Sequence, residues 1–488
     1  MKKRTKIVAT LGPASDTYEQ IKALIYAGVN VFRLNFSHGT HAYHSEVLAR
    51  IRRAIDETGL ITGILQDISG PKIRVGMLKE DFMLKSGDIL EFVKEEMVGY
   101  KVEEGLYRLS LNAPDILDRL QVGEYLYLYD GIIRAVVREV NEDYVKVEIE
   151  NEGMLSSKKG VNFPNTYLGI DVLTPKDRED ILWGIENGVD FMAISFVQNR
   201  EDMLTAREII VSHGGSVQLL AKIEKFDAIE NIDAILDESD GIMVARGDLG
   251  IEIPYYDVPE IQKMLIKKAN NRSKPAIVAT QMLLSMTTKE RASRAEISDV
   301  ANAVLDGADA VMLSEESAIG HHPVLAVKTM VETIQAAEKY YPYEKFGEFE
   351  MYDRGDRIDE SAVRLSKSLN CSGIIAITAS GATAKKTARY RPSQAIYAVA
   401  HDRRTAHSLT LVWGVVPAFS VIKNDLRSMM AEVLEEGLER KVFSLDDSYI
   451  LVAGDPVGVP GSTNLIRVLT GYEIEFFASL SNRNKWVD

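Results

Sequence analysis

Lys222 and Glu224 stand two apart at the end of the apolar run QLLAKIEK (218–225), and Asp248 follows the next run, GIMVA, directly after Arg246 and Gly247. Residues two apart on a strand share a face, so an ammonium and a carboxylate point together beyond that strand end. A second carboxylate reaches them from the neighbouring unit. One cation and two carboxylates converging at strand ends could hold a divalent metal carrying a phosphorylated substrate. Taken alone, Lys222 and Glu224 read more simply as an ion pair, since structural pairs perturb charges without catalysing.

Strands must bring these groups to one place, and a degenerate repeat supplies them. AGVNVFRLNF (27–36), NGVDFMAISF (187–196) and DGADAVMLSE (306–315) share a Gly, one further residue, Asn or Asp, then an apolar run with a polar end. Each follows an amphipathic stretch, which predicts a helix closed by Gly and a buried parallel strand. TKIVATLG (5–12), TGILQDIS (62–69), QLLAKIEK, GIMVAR (241–246) and PAIVATQM (275–282) complete eight such runs. Eight strands alternating with helices is the count of a (β/α)8 TIM barrel. The runs end on Asn35, Ser37, Asp67, Lys222, Glu224, Asp248, Thr280 and Ser314. In such barrels the strand C-termini face the active site. An open Rossmann-like sheet is the rival, and it would not need a polar end on every strand.

The insertion between about Pro71 and Pro164 has a different texture, with short alternating strands and an Asp130-Gly131 hairpin turn. It predicts a β-barrel lid domain hinged at Gly70-Pro71 and at Asn162-Phe163-Pro164; a rigid ornament is the other reading. After Tyr343 an acidic linker, EKFGEFEMYDRGDRIDE, leads to CSGIIAITAS, AIYAVAHD, VVPAFSV and SYILVAGD. These predict a C-terminal α/β domain with a mainly parallel sheet. The expected division is 1–70 with 165–345 for the barrel, 71–164 for the lid and 346–488 for the last domain.

At 488 residues the chain needs more than one domain, and its formal charge of −15 argues against a general nucleic-acid or membrane-surface role. No apolar run approaches membrane-spanning length. The single Cys371 excludes an internal disulfide framework and fits a reducing, cytoplasmic setting.

TKIVATLGPAS, RLNFSHGTH, GPKIR, KKGVNFP, KIE, MVARGDLGIEIP, ATQML, RAEISDVANAVLDGADAVMLS and ARYRP occur in the order found in pyruvate kinases, and the chain resembles that family over nearly its whole length. The resemblance implies phosphoryl transfer from phosphoenolpyruvate to ADP, giving pyruvate and ATP in the last step of glycolysis. It implies Glu224 and Asp248 as ligands of Mg2+ or Mn2+, and Lys222 as the ammonium facing the transferring group. Arg33 would grip the phosphoryl group, the amides of Gly247 and Asp248 the substrate carboxylate, and Thr280 would lie near the enolate carbon. Whether Lys222 or Thr280 governs the proton stays open. Nucleotide binding falls to Asn35, His38, Arg74 and Lys159, with Arg74 also in the catalytic set. Asn35, Ser37, Asp67 and the carbonyl of Ile68 match the family's K+ site. Lys72 in GPKIR stands where K+-dependent members carry Glu, which implies activity without K+; a solvated hinge lysine is the bland alternative. Tyr129 precedes Asp130 where many members carry an acidic pair. The family is commonly a homotetramer.

In the last domain Thr378, Ser380, Gly381 and Thr383 end a strand and open a helix, a cradle for a phosphorylated allosteric effector or ordinary helix capping. GDPVGVPGSTN would be its far wall. A metal-dependent aldolase or lyase would keep Glu224 and Asp248 without the lid or Lys159. A sensor that had lost turnover would not need the set Arg33, Lys222, Glu224, Asp248 and Thr280.

Overall fold

Gly28, Gly188 and Gly307, the repeat glycines, sit at φ +119°, +58° and +97° just past three helix ends. The left-handed conformation costs glycine little and turns the chain back into a strand. A computed structural model describes residues 3–484 apart from 165, 168, 351, 352 and 424; the expected boundary at 165 and both chain ends lie outside the described residues. Eight parallel strands close into a barrel: β1 Lys6–Thr10, β2 Val31–Asn35, β3 Gly63–Asp67, β4 Phe191–Ile194, β5 Gln218–Ile223, β6 Gly241–Ala245, β7 Ala276–Ala279 and β8 Ala310–Leu313. Each pairs with its sequence neighbours, and β8 pairs with β1. The register sets Asn35 beside Asp67 and Lys222 beside Met243, so the polar ends share one rim.

The insertion forms a seven-stranded, mostly antiparallel sheet and a two-stranded ribbon around one core, which holds Phe82, Phe92, Leu109, Val137 and Phe163. Its hydrogen-bonded ladder runs open from 161–162 to 100–103. The tight turn is two residues longer than Asp130-Gly131 predicts: Leu128 pairs with Ile133, and Tyr129, Asp130 and Gly131 all take positive φ.

The C-terminal strands form a five-stranded sheet, four parallel and the last, Thr463–Leu469, antiparallel at the edge. That edge strand is not expected from the apolar runs, because its residues are only partly buried. The second half of the expected acidic linker is helical: Asp353 caps the helix Arg354–Ser368 in a reciprocal pair with Asp356.

Two features tie this domain to the barrel. Leu411 packs with Val8, Val31, Leu65, Phe191 and Leu220 in the layer of side chains inside the barrel. Arg391, from ARYRP, lies fully buried against Asp309 at the start of β8 (Nη1–Oδ1 3.0 Å). It also donates to the Asn270 side chain (2.6 Å) and the Gly307 carbonyl (2.7 Å), with the Trp413 ring 5.0 Å away. Cys371 is buried and unbonded. No helix among the described residues is long and apolar enough to cross a membrane.

Candidate active site

β5 delivers Lys222 into a nest of oxygens. Its Nζ lies 2.8 Å from Glu224 Oε1 and 3.2 Å from Asp67 Oδ1, and it donates to Ser195 Oγ at 2.7 Å. Asp67 uses its second oxygen on Arg33 Nε at 2.6 Å, and Arg33 Nη1 donates to Thr10 Oγ1. Two cations from β2 and β5 therefore share one carboxylate at the end of β3. Burial works against charge on Lys222, yet Asp67 and Glu224 outweigh it and hold its pKa above the ordinary lysine value. Burial would also raise Asp67, but Arg33 and Lys222 keep its carboxyl below the usual range. Glu224 goes the other way. Burial lifts its pKa, Lys222 opposes, and the neighbouring Asp248 pushes it higher.

Carboxylates that repel each other in a buried site are suited to a divalent cation. Glu224 is oriented for it by the Phe196 amide, which donates to Oε2 at 2.8 Å; Phe196 takes φ +57°. Asp248 follows β6 in the first turn of the helix Arg246–Glu252. These two residues fit Mg2+ or Mn2+ by donor type.

The oxygens expected at a K+ site are assembled but engaged. Asn35 Oδ1 accepts from the Ser37 amide, Ser37 Oγ donates to Ser69, and the Ile68 carbonyl accepts from Ser195 Oγ at 2.6 Å. Asp67 serves the two cations. Lys72 lines a cleft with Asp130, Phe196, Lys225, Asp248 and Glu252.

Thr280 lies just past β7 with φ +71°, and Gln281 follows at +56°. Holding a β-branched residue in the left-handed region costs about 1–3 kcal/mol. Its hydroxyl accepts from the Gly247 amide at 2.7 Å. The Gly247 amide, expected to meet a substrate carboxylate, donates to Thr280 in this structure.

The lid residues are not gathered with the others. Arg74 donates to the Lys158 carbonyl and lines a separate groove with Lys94 and Lys158. The reason is alternation: Ile73 and Val75 point into the lid core and send Arg74 outward. Lys159 lies over the Tyr129 ring at 3.8 Å. His38 is exposed, its carbonyl accepting from His44. In the last domain Thr378, Ser380 and Thr383 do line one cleft with residues of the 454–463 loop. Gly381, at φ +87°, donates its amide to Thr378 Oγ1.

The family model for the pyruvate kinase barrel domain matches residues 2–327, and that for the pyruvate kinase alpha/beta domain matches 356–469. The chain belongs to the pyruvate kinase family. Pyruvate kinase of Geobacillus stearothermophilus is 41% identical over 476 residues, covering 96% of this chain and 80% of that one. The Staphylococcus aureus (strain MRSA252) pyruvate kinase is 40% identical over 484 residues, 97% and 81% of the two chains. A solved pyruvate kinase from Cryptosporidium parvum superposes with a TM-score of 0.88 at 33% identity, covering 96% of each chain. The protein is thus a phosphotransferase.

Two residues of this pocket, Phe196 and Arg246, are not singled out by a reading of runs alone. Ser195 ends the run NGVDFMAIS, so the rule that finds Lys222 reaches it too.

Near the cleft, Lys225 pairs with Glu252 (3.1 Å), whose other oxygen accepts weakly from Asn162 of the lid. Burial raises the adjacent Asp227 to about 6, with Lys225 opposing and Glu252 adding. A raised carboxyl binds its proton more tightly folded than unfolded, so stability falls as pH rises from the unfolded value toward about 6. Asp227→Asn is therefore expected to gain about 1–3 kcal/mol at pH 8 and little at pH 4. Equal changes in denaturation midpoint at the two pH values would count against this.

Proposed function

We propose that this pyruvate kinase transfers the phosphoryl group of phosphoenolpyruvate to ADP, giving pyruvate and ATP at the last step of glycolysis in the cytoplasm. The observation that carries the reading is the buried Lys222 ammonium, set between Asp67 and Glu224, with Arg33 across the shared Asp67. Phosphoryl transfer asks a protein mainly for positioning and charge neutralisation. Arg33 would grip the phosphoryl group with its planar fork. Lys222 would follow the charge as the enol P–O bond breaks and an ADP oxygen takes the phosphorus, its ammonium facing the enolate oxygen. The enolate then accepts a proton at its terminal carbon, from the side on which Thr280 would stand. Glu224 and Asp248 would hold Mg2+ or Mn2+, which when bound supplies positive charge to the phosphoryl oxygens. The carboxylate would meet the Asp248 amide, or that of Gly247 once Thr280 releases it.

ADP would lie between barrel and lid, with Asn35 and His38 from the barrel and Arg74 and Lys159 brought in by lid movement about the 70–71 and 162–164 hinges. The domain division at about 71, 165 and 346 belongs to the same proposal. The cavity at Thr378, Ser380, Gly381 and Thr383 would take a phosphorylated effector, and the protein would work as a homotetramer.

Lys72 supports activity without K+. Its amine can place a tethered positive charge in the cleft that Asp248 lines. Lys72→Glu is expected to lose about 10–100-fold in kcat in sodium buffer and to recover it when K+ is added. Wild-type and variant rates that match in sodium alone would end this part of the proposal. The main test is pyruvate formation from phosphoenolpyruvate, ADP and Mg2+, with and without K+. Turnover that does not need ADP would replace the kinase reading by a lyase.

A further inference from the structure

We propose that Arg246 is a positioning residue that holds Thr280 where its hydroxyl can serve the enolate carbon. The inference rests on the reading of Thr280 given above. Arg246 and Gly247, consecutive in the chain, grip the carbonyl and the hydroxyl of this threonine. Arg246 Nη2 donates to the Thr280 carbonyl at 2.9 Å, and the Gly247 amide donates to its hydroxyl at 2.7 Å. The guanidinium is itself fixed. Asp299 takes it with two parallel bonds of 2.7 Å each, and Met282 Sδ lies 2.9 Å from Nη2.

Asp299 stands on the helix Arg294–Asp306, whose start is locked by reciprocal bonds between Ser293 and Glu296. Glu296 further accepts from the Ser285 amide and hydroxyl. The clamp therefore reaches from the end of β6 to the loop after β7 and is backed by the helix that precedes β8.

An ordinary surface ion pair would need none of this. The distinguishing fact is the backbone: Thr280 and Gln281 are both held at positive φ, where non-glycine residues are strained. Without a donor on its carbonyl, Thr280 would relax toward extended geometry and carry its hydroxyl off the Gly247 amide. Lysine offers a point charge and cannot bond Asp299 in two places while holding the Thr280 carbonyl.

The test compares two readouts in Arg246→Lys: ATP formation from phosphoenolpyruvate, and exchange of the pyruvate methyl hydrogens into deuterium oxide with ATP and Mg2+ present. Misplacing Thr280 is expected to slow exchange about 100-fold, with a much smaller loss in ATP formation and little change in the KM for phosphoenolpyruvate. Proportional loss of both activities would mean a merely structural role and would overturn the inference. Should Arg246→Lys not fold, Asp299→Asn carries the same comparison, with an expected loss of about tenfold in exchange and the same overturning result. Thr280→Val separates the two readings. Exchange lost there but kept in Arg246→Lys overturns the inference alone; exchange kept in Thr280→Val overturns the reading of Thr280 and the inference with it.

Discussion

Lys222→Met is expected to reduce kcat by about 1,000-fold while leaving the KM for phosphoenolpyruvate within a few-fold of wild type. The ammonium is buried, and its three neighbours, Ser195, Asp67 and Glu224, aim it at one spot. Such a group costs no reorganisation when charge develops on the enolate oxygen. Binding in the ground state would rest on Arg33 and the metal ligands, which the substitution leaves in place. A loss of 1,000-fold corresponds to about 4 kcal/mol of transition-state stabilisation. Steady-state kinetics read it directly. A loss below tenfold would mean that the amine is only the counter-ion of Glu224, the simpler reading of the pair. A large rise in KM with kcat intact would reassign it to substrate binding.

The second large effect is structural. Arg391→Met is expected to destabilise the protein by about 3–5 kcal/mol, because Asp309 would stay buried without its cation. Asp309 would keep the Trp413 and Ala276 amides, each at 3.1 Å, but no bonded cation among the described residues. The Gly307 carbonyl and the Asn270 side chain would lose their shared donor as well. Denaturant unfolding followed by fluorescence would report both the midpoint and the packing of Trp413. A change under about 1 kcal/mol would show that the site collapses around the methionine or admits water. Replacing Arg391 and Asp309 together by apolar residues should cost less than Arg391→Met alone, since no unpaired charge remains.

Much of this arrangement is legible before any coordinates. The glycines at 28, 188 and 307 announce strand starts, and the polar residues that close apolar runs announce the reactive rim. Those signals are local, which is why they survive in a single sequence. Lys222, Glu224, Asp67 and Arg33 meet because β2, β3 and β5 end at one mouth of a closed parallel barrel, so a correct strand count brings them together. Arg246 is different. Its meaning depends on Asp299, which lies on a helix after β7, and on the φ of Thr280, and neither leaves a mark in composition or period. Arg391 is hidden for a similar reason: ARYRP signals the family, while its pairing with Asp309 spans two domains. Arg74 and Lys159 show a further limit. The family motifs assign them to the nucleotide, but the alternation of Ile73 and Val75 turns Arg74 outward, and Lys159 follows a turn at Lys158 (φ +62°) onto the Tyr129 ring.

Leu411 has a consequence of its own. A leucine from the last domain completes the stack of side chains that fills the barrel, so the catalytic unit has a foreign stopper in its floor. Cutting the chain after residue 345 would open that floor to water, leaving an apolar hole ringed by Val8, Val31 and Leu65. Natural shortening to a bare barrel would have to invent a replacement plug first. Any tilt of the last domain, for whatever cause, must also tug on the floor of the chamber in which Lys222 works.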